Sequence, residues 1–295
     1  MSLEGIGYDA IAIPGSSSYF RYRMRIILRM PKTLLAIVAH PDDEISTGGT
    51  LARYAAAGHR AIVACATRGD GVDAKIKNDA ATPETLGRVR QQELAASCAT
   101  LGLERPIVLG FQDGEVDAVP VDTAAERVLG LFLALRPDVV ITHDPSGGYA
   151  HPDHIAVSAF VTRAFERAGA EIGPAAPRRL YYFALPRSFG QSLAAFRERR
   201  ADIRGQQLGF VGVPDELITT QIDIHDYLDL KLEALAQHRS QFDFDEHGKP
   251  KTFTTSIPEP ERSALFGVER FIRAAPTVSP DQRNEREDDL FAGWD

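Results

Sequence analysis

Four histidines and five acidic residues fall within two short segments, Ala39-His40-Pro41-Asp42-Asp43-Glu44 and His143-Asp144-Pro145-Ser146-Gly147-Gly148-Tyr149-Ala150-His151-Pro152-Asp153-His154. Imidazoles beside carboxylates suit a borderline-soft divalent cation such as zinc, which takes His and carboxylate ligands and leaves a position open for water. A single buried histidine is more often a core residue than a ligand. Two His and Asp clusters together predict a metal site. Adjacent residues cannot easily aim both carboxylates at one atom, so Asp42 and Asp43 divide two jobs, one on the metal and one free to act as base. Pro152 suits the first position of a helix, with His151 just before it and His154 in the first turn. His154 shares a helical stripe with Val157, Val161 and Ala164, which fits either a metal ligand or a core histidine.

The elements that would carry these segments alternate. Apolar runs predict strands at 34–39, 61–67, 107–111, 139–142, 180–185 and 217–222. Helical patterns lie between them at 48–57, 86–101, 123–135 and 154–168, several closed by glycine. Continuous apolar strands separated by helices imply a parallel sheet covered on both faces. The expected fold is α/β, a Rossmann-like three-layer sandwich with a mostly parallel sheet plus a C-terminal helical and loop extension. With strand order 3-2-1-4, the two chemical segments face each other at the point where strand order reverses. The dinucleotide fingerprint Gly-x-Gly-x-x-Gly does not follow the first strand, and His-Pro-Asp-Asp-Glu stands there instead, which argues against a nicotinamide-dependent oxidoreductase.

Composition narrows the class further. The 295 residues are 44% apolar and 25% charged, and 33 basic against 41 acidic side chains give a net charge of −8. That balance argues against a nucleic-acid surface and against acidic membranes, and no apolar run reaches the length of a membrane span. Cys65 and Cys98 lie in apolar stretches and read as buried thiols of a reducing compartment, so a cytoplasmic location is expected. Residues 1–32 read as an N-terminal extension, 33–272 as the catalytic domain and 273–295 as a charged tail. Within the last part, helices are expected near 226–242 and 262–272. The stretch 284–289 is expected to be solvated, with Leu290, Phe291 and Trp294 docking the chain end.

The paired motifs, His-Pro-Asp-Asp-Glu after the first strand and His-Pro-Asp-His opening a later helix, resemble the LmbE-like (PIG-L-type) zinc-dependent de-N-acetylase family. The similarity spans about Leu34 to Ala168, and more faintly reaches Phe242. The segment ending in Tyr149-Ala150-His151-Pro152-Asp153-His154 is similar to the actinobacterial thiol-pathway branch, whose members deacetylate an N-acetylglucosaminyl inositol or cleave its thiol conjugates. The resemblance implies that His40, Asp43 and His154 hold Zn2+, with Fe2+ or another divalent ion as alternatives. It implies Asp42 as general base, His151 as oxyanion stabiliser and acid, and Asp153 as the residue that orients His151. It also implies sugar contacts from Arg90 and Asp113, with Tyr149 bordering the site. No other cofactor is implied, and the expected partner is a small N-acetylated amino sugar. Homo-oligomerisation is left open.

Two features depart from the family pattern. Thr67-Arg68-Gly69-Asp70-Gly71 stands where relatives often carry Gly-Glu, which puts Asp70 in doubt as a sugar ligand. His143 replaces an aromatic or other residue and reads as a loop hydrogen-bonder. His238, in Gln-His-Arg-Ser-Gln, reads equally as a pocket-rim contact or a helix-surface residue, while His59, His225 and His247 read as structural or exposed. The expected activity is removal of an acetyl group from an N-acetylglucosamine-containing small molecule. The alternatives are an amidase cleaving a thiol-conjugate (mycothiol-type) amide and a non-catalytic sugar-binding module. The last would be expected to have lost Asp42 or His151, and both are present.

Overall fold

A computed structural model describes residues 30–193, 200–278 and 286–294, together with two dipeptide strands near the N-terminus. The chain divides between Pro31 and Lys32. In the first unit, Ile6–Gly7 pairs antiparallel with Arg25–Ile26, and residues 1–5, 8–24 and 27–29 of the expected extension lie outside the described residues.

The second unit, Lys32–Trp294, is built on a seven-stranded sheet. Its strands are β1 (Thr33–Val38), β2 (Arg60–Cys65), β3 (Ile107–Val108), β4 (Val139–His143), β5 (Arg179–Phe183), β8 (Thr220–Asp223) and β9 (Val268–Ala275). A separate hairpin, β6 (Arg200–Ile203) with β7 (Gln206–Gly209), lies between β5 and β8 in sequence. The sheet order is β8-β9-β5-β4-β1-β2-β3, and β9 alone runs against its neighbours. The expected 3-2-1-4 order therefore forms one half of the sheet.

Alternation along β1 divides the core into two. Leu35 and Ile37 point to a cluster with Phe132 of helix α3 (Val121–Leu135) and Phe160 and Val161 of α4 (Pro152–Glu171). Leu34, Ala36 and Val38 point the other way, to Leu51 of α1 (Gly48–Ala56), Leu94 of α2 (Leu86–Thr100) and Leu228 of α5 (Leu228–Leu235). Glu269 at the start of β9 accepts from the amides of Gly49 and Thr50 at 3.0 and 2.8 Å, a carboxylate set at the positive end of α1. Cys65 and Cys98 are free and buried. No described helix is long and apolar enough to cross a membrane.

Several elements differ from expectation. The helix expected over 262–272 is a short helix, Glu261–Phe266, followed by strand β9. Gly267 separates them, and Phe271 alternates into the core. The helix expected over 226–242 keeps only α5, flanked by 3-10 turns. The strand expected over 217–222 begins at Thr220, and the third strand shrinks to a two-residue ladder. The segment expected to be solvated is tied down where it is described. Glu287 accepts from Thr220 Oγ1 at 2.9 Å and Tyr181 OH at 3.2 Å, and its backbone bridges to Thr219 and Gln221. Asp289 accepts from Tyr54 OH at 2.6 Å.

Leu290 and Phe291 dock into the second core cluster, where the Phe291 ring meets Tyr54 edge-on at 5.1 Å. Removing that ring leaves a cavity. Phe291→Ala should therefore lower unfolding free energy by about 3 to 5 kcal/mol in urea titrations. An unchanged midpoint would mean that the docked end adds nothing to the core.

Candidate metal centre and active site

β1 and β4 are sheet neighbours, with Leu34 opposite Val139 and Ala36 opposite Ile141. Their carboxyl ends therefore bring the two chemical segments together. A 3-10 turn, Asp43–Thr47, follows β1, and the Asp43 carboxylate folds back to accept the His40 amide at 2.8 Å. His151 caps α4: its Nδ1 accepts the Asp153 amide at 3.1 Å, and Pro152 takes the first helical position. That bond leaves the proton of the neutral imidazole on Nε2.

Three donor atoms converge. His40 Nδ1 lies 3.2 Å from His154 Nε2, His154 Nε2 lies 3.3 Å from Asp43 Oδ2, and Asp43 Oδ2 lies 3.4 Å from His40 Nδ1. A tetrahedral ion with ligand bonds of about 2.0 to 2.1 Å has donor-to-donor edges of about 3.3 to 3.4 Å, so this triangle fits one face of such a site. The three residues expected as a set lie together and could hold a metal ion. Behind the triangle, His40 Nε2 faces Asp113 Oδ1 at 3.0 Å and Asp153 Oδ2 at 3.2 Å. Carboxyl groups there fix the ring's tautomer and leave Nδ1 facing the other two atoms of the triangle.

The charges agree with this division. Burial alone would lower the His40 pKa, but its bonds to Asp113, Asp153 and Asp43 hold it well above the ordinary value. Burial likewise opposes ionisation of Asp43, yet His154, His40 and His143 keep its carboxyl well below the usual range. Asp113 is held at about 2, against burial, by its bond from His40. His154 is pushed well down by burial, so its lone pair is available, as metal binding requires. A dication would satisfy the acidic surroundings that otherwise draw a proton onto His40.

Residues 35–165 match the PIG-L family, described as GlcNAc-PI de-N-acetylase. A 1D-myo-inositol 2-acetamido-2-deoxy-alpha-D-glucopyranoside deacetylase from Acidothermus cellulolyticus is 36% identical over 298 residues, covering 90% of this chain and 96% of its own. The chain belongs to the PIG-L family. A deacetylase of the same name from Rhodococcus erythropolis is 33% identical over 292 residues, covering 89% of this chain and 97% of its own. Among solved structures, N,N'-diacetylchitobiose deacetylase from Pyrococcus horikoshii shares the fold with a TM-score of 0.59 at 21% identity, covering 82% of this chain and 83% of that one. A conserved Thermus thermophilus protein does so with a TM-score of 0.56 at 24% identity, covering 83% and 96%. Membership and these relatives make the chain a hydrolase of the deacetylase type, acting on amide C–N bonds.

In this PIG-L-family enzyme the remaining candidates sit as follows. Arg90 is only 5% exposed. Its guanidinium donates to Gly69 O at 2.9 Å, to Pro41 O and to Asp42 Oδ2 at 3.1 Å. Gly69 has φ 68°, and a Cβ there would overlap the guanidinium. Asp113, expected on the sugar, also accepts the Gly71 amide at 2.7 Å. Asp153 contacts His151 through its backbone amide, while its carboxyl group goes to His40, Gly114 and Val116. Tyr149 borders His151 and His154 edge-on at 5.5 and 5.3 Å. Asp70 pairs with Arg68 at 2.7 Å.

His143 is not in a loop. It is the last residue of β4, accepts the Ala39 amide at 3.0 Å and stacks on His154 at 4.1 Å, so it backs the His154 ring. Burial lowers its pKa to about 4, which keeps it neutral. His238 is neither at the rim nor on a helix surface. It is fully buried, 2.6 Å from Glu44. Neither that pair nor the Glu93 clamp on Ser240 had a local sequence signal, because the partners lie 194 and 147 residues apart.

Proposed function

We propose that this enzyme removes the acetyl group from an N-acetylglucosamine-containing small molecule, with an N-acetylglucosaminyl inositol as substrate, and that zinc is its resident ion. The observation that carries the reading is the His40, Asp43 and His154 triangle with Asp42 next to it and the His151 ring 4.8 Å from that of His40. Relatives named as deacetylases of that inositol glycoside support it. His40, Asp43 and His154 would hold the zinc, which would supply a lowered water pKa, toward about 7, and polarisation of the acetamide carbonyl.

Asp42 is the base. Burial pushes its carboxyl group up to about 6 against the pull of Arg90, which suits a group that must take a proton near neutrality. As water adds to the carbonyl carbon, Asp42 accepts its proton. His151, neutral because burial lowers its pKa, presents Nε2–H to the developing oxyanion, and the proton that Asp42 took from water passes to the amine as the C–N bond breaks. Acetate and the free amino sugar leave. Arg90 and Asp113 are taken to contact the sugar, and each also has protein partners, Asp42 and Gly69 for Arg90 and His40 and Gly71 for Asp113. The unit from Lys32 carries every residue of this reading, so residues 1–32 are taken as an extension to it.

The deciding experiment is amine release by zinc-loaded protein from N-acetylglucosaminyl inositol and from a thiol conjugate of the deacetylated sugar. Turnover of the acetamide supports the proposal. Turnover of the conjugate alone would assign the amidase activity instead. Because Asp113 holds His40, Asp113→Ala should weaken zinc binding by about 10- to 100-fold in chelator competition. Unchanged affinity would confine Asp113 to the sugar.

A further inference from the structure

Glu44 and His238 take part in no step above, yet both are fully buried behind the Asp42 loop. Glu44 Oε1 lies 2.6 Å from His238 Nε2 and accepts from Ser97 Oγ at 2.6 Å. The other Glu44 oxygen accepts the Asp42 N–H at 2.9 Å. Asp42 stands at φ 103° and ψ −20°. That left-handed conformation is uncommon for any residue but glycine and persists only where the surroundings over-determine it.

His238 is itself fixed from outside. Ser240 donates its amide and hydroxyl to Glu93 at 2.7 and 2.8 Å, and the Lys77 amide donates to Ser240 O at 2.9 Å. The His238 ring meets Glu44 through Nε2, while Nδ1 has no hydrogen-bond partner. Leaving a buried ring nitrogen unpaired lowers stability, so packing alone does not account for a histidine here. An apolar side chain would fill the space without that cost.

We propose that Glu44 and His238 are positioning residues for Asp42: His238 fixes the Glu44 carboxylate, and Glu44 holds the Asp42 backbone in the left-handed conformation that aims its carboxyl group. The inference rests on the reading of Asp42 as the base. Arg90 secures the same residue from the other side, through Pro41 O and the Asp42 carboxyl group. Glu44 and His238 act on the reaction only through Asp42.

The test uses zinc-loaded full-length protein and N-acetylglucosaminyl inositol, with kcat, KM and zinc content measured for each variant. Glu44→Ala and His238→Ala should lower kcat by about 10- to 100-fold, the loss expected when a reacting group moves by about 1 Å, with KM within about twofold. Zinc content should not change. Glu44→Gln, whose amide oxygen can still accept the Asp42 N–H, should stay within about fivefold of wild type. In an Asp42→Asn background, His238→Ala should cause no further loss, because it has no base left to position.

Wild-type kcat in both alanine variants would overturn the inference. So would zinc loss that accounts for the fall, a Gln variant as slow as Ala, or an independent loss in the Asp42→Asn background. If the alanine variants do not fold, Glu44→Asp decides: it keeps the charge and withdraws the acceptor from the Asp42 N–H, so kcat should fall with KM unchanged, and wild-type kcat overturns the inference. Full activity in Asp42→Asn alone would instead remove the base reading.

Discussion

Asp42→Asn should lower kcat by about 10²- to 10⁴-fold while zinc content and KM stay near wild type, the usual worth of a general base. Asparagine keeps the size of the side chain and an oxygen for Arg90, whose Nη2 lies 3.1 Å from the Asp42 carboxyl group. It has no lone pair basic enough to take a proton. Asp42 is also outside the triangle of His40, Asp43 and His154, so the ion should remain. The pH profile has a sign. Burial raises the Asp42 pKa to about 6, so its base form fades as pH falls through that value. A dication nearby moves this limb lower. The acid limb of kcat/KM should vanish in the Asn variant. If Asp42→Asn loses zinc and Asp43→Asn keeps it, the two aspartates exchange roles.

His154→Ala should lose most of the ion and at least about 10³-fold in activity, because the metal's share of transition-state stabilisation goes with it. His154 Nε2 is within 3.3 Å of both other donor atoms, and its ring is held by His143 on one side and Tyr149 on another. Two donors cannot close the site. The variant should nevertheless stay folded by near-ultraviolet circular dichroism, since a chain of this size buries roughly 75% of its unfolded surface without help from a metal. Zinc retained at wild-type stoichiometry in elemental analysis would remove His154 from the ligand set.

The parts of this molecule that were legible in the sequence are those whose signal is local. The run Leu34 to Val38 is apolar at every position and could only be a strand buried on both faces. Pro152 fixes where α4 begins, and His151 and His154 follow from it. That the two His and Asp segments would meet was legible for the same reason, since each follows one of two neighbouring strands, whereas the choice of His40, Asp43 and His154 among their side chains came from the family resemblance. β9 was missed although Gly267 marks the break between the short helix and the strand. The alternation from Val268 to Phe271 spans too few residues to outweigh the helical spacing before it. His238 was misplaced for another reason: what decides it is a partner in another element, and helix periodicity carries no information about it.

The two ends of the sheet bear on how copies of this chain could meet. A free strand edge presents unpaired amides and carbonyls to any other chain able to pair with them. At one end, β3 offers only Ile107–Val108, too short a template to nucleate a ladder. At the other, the Gln221 amide donates to Glu287 O and the Glu287 amide to Thr219 O, so the returning chain occupies the outer side of β8. Among the described residues, growth of this sheet by strand addition is therefore disfavoured at both ends.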